Sequence, residues 1–404
     1  MVIKVTQIIL IALAFIIPIF GNLTIDSNTV FKNEHRTAFS YPSFTSNKLT
    51  RILDLATLKD LHDFNFDDLQ KALNDRLIGR EYFQTLFSTH QSLMPTTVHD
   101  FDPTGSFAVL GSRKGWYFTG DMRYAAYKKH IEDVQLNLEN TAHHINFLKK
   151  VQALTHAKTY LVVGPDKHSI YSEFMNQNYG HPGHYRYFDK IKPIYEYAGI
   201  KIIDNFDALK KAKDLSYKTT LYLANDSHWN EQGAKIAFDN TLHTIIDSIL
   251  NKNLAENYLP ITYNFTYQKQ LIGDLTRDIF NADDKQELDK ATSHSTQTGT
   301  FYFKALDTGE EITTMRTFGS KSTIRCQVTP DTCNYLYSRN ESFKSKLKVA
   351  LVTDSYGHKF QPYLFDYFHE SMWLNALKDD EEIIEHLQEF KPDLVLYLRV
   401  ERNL

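Results

Sequence analysis

Apolar and polar positions along most of the chain switch repeatedly between two periods, and the switching predicts strands and helices in turn. Short apolar or β-branched runs stand at residues 107–110, 159–163, 200–203, 221–223, 348–352 and 394–398. Helical patterns occupy 127–154, 187–198, 230–250 and 380–390, and 111–118 reads as a hairpin. Asn230 is placed to N-cap the third of those helices. Continuous apolar runs alternating with helices predict a mostly parallel sheet covered on both faces, because such strands leave no face for water. The expected fold class is α/β, a three-layer α/β/α arrangement.

Two regions break the rhythm. Leu53, Leu55, Leu58 and Leu61 recur at helical spacing, and a second amphipathic segment begins at 66–73 and continues to about Gln84. Residues 24–100 are thus read as a polar linker followed by a helical extension, ahead of a main domain at 101–404. Within that domain, 251–346 holds short β-rich pieces such as 258–265 and 300–303 joined by polar segments. It reads as a β-rich insertion near the site, a lid or a substrate platform.

The start of the chain changes the setting. Lys4 precedes an apolar run from Ile8 to Phe20, the pattern of a secretory signal, while the wider 5–23 window suits an uncleaved membrane anchor. Residues 1–23 are therefore expected to direct export. Cys326 and Cys333, the only two cysteines, fit an oxidising compartment. The Pro330-Asp331 turn between them is suited to closing a small disulfide loop worth ~2–3 kcal/mol, with two unpaired thiols as the alternative. A formal net charge of −4 gives no reason to expect nucleic acid as a partner. No Gly-rich phosphate cradle follows any strand, and neither His143-His144 nor His228 shows a metal-ligand spacing, so no cofactor and no metal are expected.

The stretch from Lys348 to Gly357 delivers Asp354-Ser355-Tyr356 to the carboxyl edge of the sheet, where open α/β sheets place their ligands. Such a turn is commonly only a helix cap, and a histidine beside a tryptophan is commonly packing. A second stretch, Asn225-Asp226-Ser227-His228-Trp229-Asn230, gives the serine a possible base. Side chains two apart point the same way in extended backbone, so Asp226 is placed to hold His228 while the imidazole faces Ser355. Trp229 would wall the imidazole from water.

The ordered motifs resemble the AlgX/AlgJ-type alginate O-acetyltransferase family and its SGNH-hydrolase-like domain. Asp226-Ser227-His228-Trp229-Asn230 followed much later by Thr353-Asp354-Ser355 matches that family's order, in which Asp-x-His-Trp precedes the serine. Asp75-Arg76-Leu77-Ile78-Gly79-Arg80, Gly115-Trp116-Tyr117-Phe118 and Pro165-Asp166-Lys167 with Tyr171 resemble three further family segments. The likeness spans about Phe66 to the C-terminus except the insertion, and the C-terminal carbohydrate-binding module of some relatives is not expected. It implies Ser355 as nucleophile, His228 as base and Asp226 as orienter.

It further implies an exported, periplasmic O-acetyltransferase that forms a serine acetyl-enzyme and acetylates an exopolysaccharide, capsular or cell-wall glycan. A membrane-bound O-acyltransferase would relay the acetyl groups, and the N-terminus could hold the enzyme at the inner membrane. Oxyanion or substrate contacts are expected from the Ser355 or Tyr356 backbone N–H at the start of the following helix, with Trp229, Lys167 and Arg399 (or Arg402) as further candidates; the lysine and the arginines read otherwise as structural ion pairs or charge-bearing loop residues. Two other readings stay open: a carbohydrate acetylesterase with the same triad, and a non-catalytic polysaccharide-binding subunit.

Overall fold

A computed structural model describes residues 30–31 and 36–37 and, from 108 to 404, all but 114, 121–125, 132–133, 177–185, 216–218, 250–260, 270–272, 276–288, 322–323, 325–332 and 343–346. The chain divides into two compact units, Met1–Met94 with Arg277–Asn281, and Pro95–Thr276 with Ala282–Leu404. In the first, Val30–Phe31 pairs antiparallel with Arg36–Thr37. The export segment, the helical extension and Cys326 lie outside the described residues. Among the described residues no helix is long and apolar enough to cross a membrane. Cys333 is disulfide-bonded.

The second unit begins with strands β1 (Ala108–Leu110) and β2 (Tyr117–Thr119), paired as an antiparallel hairpin. Helices α1 (Lys128–Ile131) and α2 (Leu138–Thr155) follow, then β3 (Lys158–Gly164), α3 (Tyr187–Tyr197), β4 (Lys201–Asp204), α4 (Phe206–Leu215) and α5 (Glu231–Ile249). Next come β5 (Asn264–Gln268), β6 (Lys290–His294), β7 (Thr298–Ala305), β8 (Glu311–Thr317) and β9 (Tyr335–Asn340). The chain closes with β10 (Lys348–Thr353), α6 (Gly357–Tyr367), β11 (Glu370–Asn375), α7 (Asp380–Phe390) and β12 (Leu394–Val400).

Eight of these strands form one sheet in the order β8-β7-β9-β11-β10-β12-β3-β4. β11, β10, β12, β3 and β4 are parallel neighbours, and β9, β7 and β8 add an antiparallel edge. The period of two along each strand sends alternate side chains to opposite faces. Val349 and Leu351 of β10, Tyr160 and Val162 of β3, and Leu396 and Leu398 of β12 join one core with α5 and α6. Ala350, Val352, Leu161, Val163, Val395 and Tyr397 join a second core with α2, α3 and α7. The three-layer α/β/α expectation holds.

Three details differ from the sequence expectation. The 127–154 helix is two helices, because the Asn137 side chain accepts from the Asn140 N–H and starts α2 afresh. Residues 221–223 form no strand of the sheet. The chain doubles back there, so Leu223 N–H bonds His228 O at 3.2 Å and Asn230 N–H bonds Leu221 O at 2.8 Å, around a bridge between Tyr222 and Trp229. The insertion is not chiefly a lid: β7, β8 and β9 extend the main sheet, burying Phe301, Phe303 and Leu336 in its first core.

Candidate active site

Ser355 stands just past the carboxyl end of β10. The turn is tight because a Cβ on Gly357 would lie 2.1 Å from Thr353 Cγ2, so only glycine lets α6 start so close to the strand. Asp354 is buried and fixes the turn from below. Its Oδ1 accepts the Tyr356 N–H at 3.1 Å, and its Oδ2 accepts Val400 N–H at 2.9 Å and Asn403 Nδ2 at 3.2 Å. The aspartate thus caps the turn, as expected, and ties it to the end of the neighbouring strand.

The second turn brings its histidine onto that serine. His228 Nε2 lies 2.7 Å from Ser355 Oγ, and His228 Nδ1 lies 2.6 Å from Asp226 Oδ1. A carboxylate oxygen accepts, so Nδ1 carries the proton and Nε2 is left to accept from the serine hydroxyl. Burial alone would raise the Asp226 pKa, but His228 and, further off, Lys359 hold its carboxyl well below the usual range. The imidazole remains one-fifth exposed, so the hydroxyl it contacts faces an accessible surface.

The two turns are stitched together by aromatic residues. Trp229 Nε1 donates to Tyr356 O at 3.1 Å, and the Tyr356 hydroxyl donates to Ser227 O at 2.8 Å. The Tyr356 ring packs at 4.8 Å from Trp229 and 5.3 Å from His228. Asn230 Oδ1 accepts the Gly233 N–H at 2.9 Å, the predicted N-cap of α5.

The candidate oxyanion and substrate residues fare differently. The Tyr356 N–H is taken by Asp354 and both the Tyr356 and Trp229 side chains are fully buried. They are walls, not substrate contacts. Lys167 is buried too, and its ammonium donates to Leu223 O and Ala224 O at 2.6 Å, Tyr117 O at 2.7 Å and Asp226 O at 3.2 Å. It holds the base turn from beneath. Arg399 is buried 3.9 Å from the Asp354 carboxylate, its β12 position alternating with Val400 toward the α2 side. Arg402 is paired with Asp166 and lies 5.5 Å from the Tyr356 ring. No acceptor of the Ser355 N–H is seen among the described residues, which suits it to a developing oxyanion.

Sequence reasoning missed one member. Asp274 Oδ1 accepts the Ser227 N–H and its Oδ2 the Ser227 hydroxyl, both at 2.6 Å. That Oδ2 is also 3.8 Å from His228 Nδ1. Gly273-Asp274 carries no motif of its own; its role exists only through contact.

The SGNH hydrolase-like domain of the acetyltransferase AlgX matches residues 109–313, a span that includes Asp226 and His228 and stops short of Ser355. No curated protein matches the sequence. Bacillus cereus PatB1 is similar in structure, with a TM-score of 0.51 and 14% identity over 73% of this chain and 97% of that one. Its form with a sulfonyl adduct gives 0.50 and 13%, over 74% and 94%. The O-acetyltransferase domain of Pseudomonas putida AlgJ gives 0.43 and 15%, over 73% and 91%. At such identities the PatB1 likeness shows the fold.

Proposed function

The chain belongs to the AlgX family of SGNH hydrolase-like acetyltransferases, and from that premise we propose that it is an exported O-acetyltransferase acting on a polysaccharide through Ser355. The observation that supports this most is the line from Ser355 Oγ through His228 to Asp226, at 2.7 and 2.6 Å.

In the first half-reaction His228 Nε2 takes the Ser355 proton as Oγ bonds the acetyl carbon of a donor. The tetrahedral oxyanion collapses, and the donor's leaving group departs with the proton from the imidazolium. Asp226 stays ionised and stabilises that imidazolium throughout. In the second half a glycan hydroxyl gives its proton to His228 and attacks the acetyl-serine. The ester passes to the sugar, and Ser355 recovers its proton. The acceptor class is an exopolysaccharide, alginate-like, capsular or of the cell wall.

The setting we propose is the periplasm, with residues 1–23 as signal or inner-membrane anchor. A membrane-bound O-acyltransferase partner would supply acetyl groups there, since acetyl-CoA is cytosolic.

Intact-mass spectrometry after reaction with an activated acetyl ester tests the reading. One acetyl group should appear on Ser355 and be absent in Ser355→Ala. A sulfonyl fluoride, the reagent class that matches the adduct of PatB1, should label the same hydroxyl. Adding an oligosaccharide should then yield acetylated sugar. Free acetate as sole product would make the enzyme an esterase, and no acetyl-enzyme at all would leave it a binding subunit.

A further inference from the structure

Beside Lys167, away from the triad's own contacts, three buried side chains meet: His130, Asp166 and His168 are each at most 3% exposed. One ligand atom from each lies within 4.8 Å of the other two. His130 Nε2 is 3.6 Å from Asp166 Oδ2, too far for a hydrogen bond. The imidazoles are parallel within 2°, with centroids 4.8 Å apart. Among the described residues His130 Nε2, Asp166 Oδ2 and His168 Nδ1 have no hydrogen-bond partner.

Two of the three can be assigned. His168 Nε2 lies 3.0 Å from Thr119 O, a carbonyl that only accepts, so Nε2 bears the hydrogen and Nδ1 turns a lone pair inward. Asp166 Oδ1 is taken by the Arg402 guanidinium, and the ionised carboxylate turns Oδ2 inward. Two acceptors, Asp166 Oδ2 and His168 Nδ1, therefore face the same space as His130 Nε2, which at 3.6 Å from Asp166 Oδ2 satisfies neither. Each buried acceptor left so costs ~1–3 kcal/mol. A cation satisfies all three atoms at once, with His130 in the tautomer that leaves the Nε2 lone pair free.

We propose that His130, Asp166 and His168 bind a first-row divalent cation, best matched by Zn²⁺, as a structural ion under the base turn. Two imidazoles and one carboxylate are the donor set such ions take. Tetrahedral zinc bonds of about 2.0–2.2 Å place ligand atoms roughly 3.4 Å apart, near the 3.6 Å between His130 and Asp166. Thr119 O fixes the His168 tautomer and Arg402 orients Asp166, as outer partners of metal ligands do. The guanidinium also opposes a cation, so the ion exchanges more readily than in an uncompensated set. Occupancy stiffens the base turn, because Arg402 Nη2 reaches Ser227 Oγ at 3.5 Å and Lys167 follows Asp166 directly. Sequence spacing gave no sign of this site, since His130 is remote from the Asp166-Lys167-His168 run. The proposal stands whatever Ser355 does.

The test is equilibrium dialysis of the chelator-treated full chain against Zn²⁺, with metal analysis and calorimetry. One ion per chain and a raised Tm are expected. His130→Gln and His168→Asn, shown to be folded by circular dichroism, should bind at least tenfold more weakly and lose the Tm shift. Asp226→Asn, which dismantles the other such cluster of Asp226, His228 and Asp274, should keep the ion. Absence of stoichiometric binding, or loss in Asp226→Asn with retention in His168→Asn, overturns the proposal. If the histidine variants do not fold, X-ray absorption of the Co²⁺-loaded wild type decides. Two imidazole ligands support the site, and one places the ion at the triad.

Discussion

The Asp274 N–H donates to Asp226 Oδ2 at 3.1 Å, so the carboxylate facing His228 is itself held by the segment between β5 and β6. Asp226 Oδ1 meanwhile accepts both His228 Nδ1–H and the His228 N–H at 3.0 Å. Both oxygens are engaged, and the imidazole inherits a fixed orientation from a residue far away in sequence.

The hold of this segment on the base turn is testable. Asp274→Ala keeps the N–H that bonds Asp226 but removes two acceptors for Ser227, each charge-assisted bond being worth about 1.5–3 kcal/mol. Acetylation of Ser355 should slow roughly tenfold, equivalent to about 1.4 kcal/mol, with the fold retained by circular dichroism. Gly273→Ala should be worse, because its Cβ would fall 2.2 Å from Asn225 O and force the base turn aside. Quenched-reaction mass spectrometry gives both rates; wild-type rates in both variants would show that the segment does not steer His228.

The contrast between Asp226 and Asp274 explains what was legible in the sequence. Asp226 sits two residues from His228 in a compact motif, and the strand pattern at 348–352 placed the serine at the sheet edge. Period and motif are local signals, and the parallel core and the Ser355–His228–Asp226 line followed from them. Asp274, the Lys167 cradle and the β7–β9 edge depend on contacts across tens to hundreds of residues, which no local pattern records. The same limit left Lys167 open between an oxyanion donor and a structural residue: its position near a strand end was readable, the carbonyls around it were not.

Lys167 should therefore behave as a structural residue. Lys167→Met keeps the aliphatic stem but leaves the carbonyls of Tyr117 and Leu223 without the ammonium, and Ala224 O with only the Tyr117 N–H at 2.8 Å. We expect a loss of about 3–5 kcal/mol in urea unfolding, from several buried acceptors at ~1–3 kcal/mol each. Lys167→Arg should not rescue it, since a planar fork cannot converge on carbonyls arranged around a point. An unchanged unfolding midpoint in Lys167→Met would refute the cradle.

A buried ion pair ties the β8 end to α6. Arg316 and Asp366 bond each other, and Asp366 Oδ2 accepts the Tyr263 hydroxyl at 3.0 Å and the Gly319 N–H. Burial, only partly offset by Arg316, pushes the Asp366 pKa up to about 6, and burial likewise lowers that of Arg316. The desolvation cost thus outweighs the attraction. Asp366→Leu alone should cost about 3–5 kcal/mol by stranding the guanidinium, and adding Arg316→Met should restore most of it. Unfolding free energies of the single and double variants check this; additive losses would mean the two residues are not coupled.

Acid should destabilise the fold through its buried histidines. His144 donates Nε2–H to Asn403 O at 2.9 Å and accepts the Tyr397 hydroxyl on Nδ1 at 2.7 Å, so the neutral ring is satisfied on both sides. Burial, and next the charge of Arg399, lower its pKa from 6.5 to about 3. His358 is lowered to about 4, again by burial first and by His228 second. Between those values and 6.5 the unfolded chain binds the protons that the folded chain refuses. The stability they confer is complete above pH 6.5 and is lost as pH falls toward 3, at up to about 1.4 kcal/mol per pH unit for each group. Asp366 acts in the opposite sense: raised from 3.8 to about 6, it favours the folded state more as that window is acidified. His144→Gln, which can still donate and accept, should remove one histidine's share of the acid slope while leaving stability near pH 7.5 within about 1 kcal/mol. Urea midpoints measured from about pH 4.5 to 7.5 decide the matter, and an identical slope in the variant would assign the acid sensitivity elsewhere.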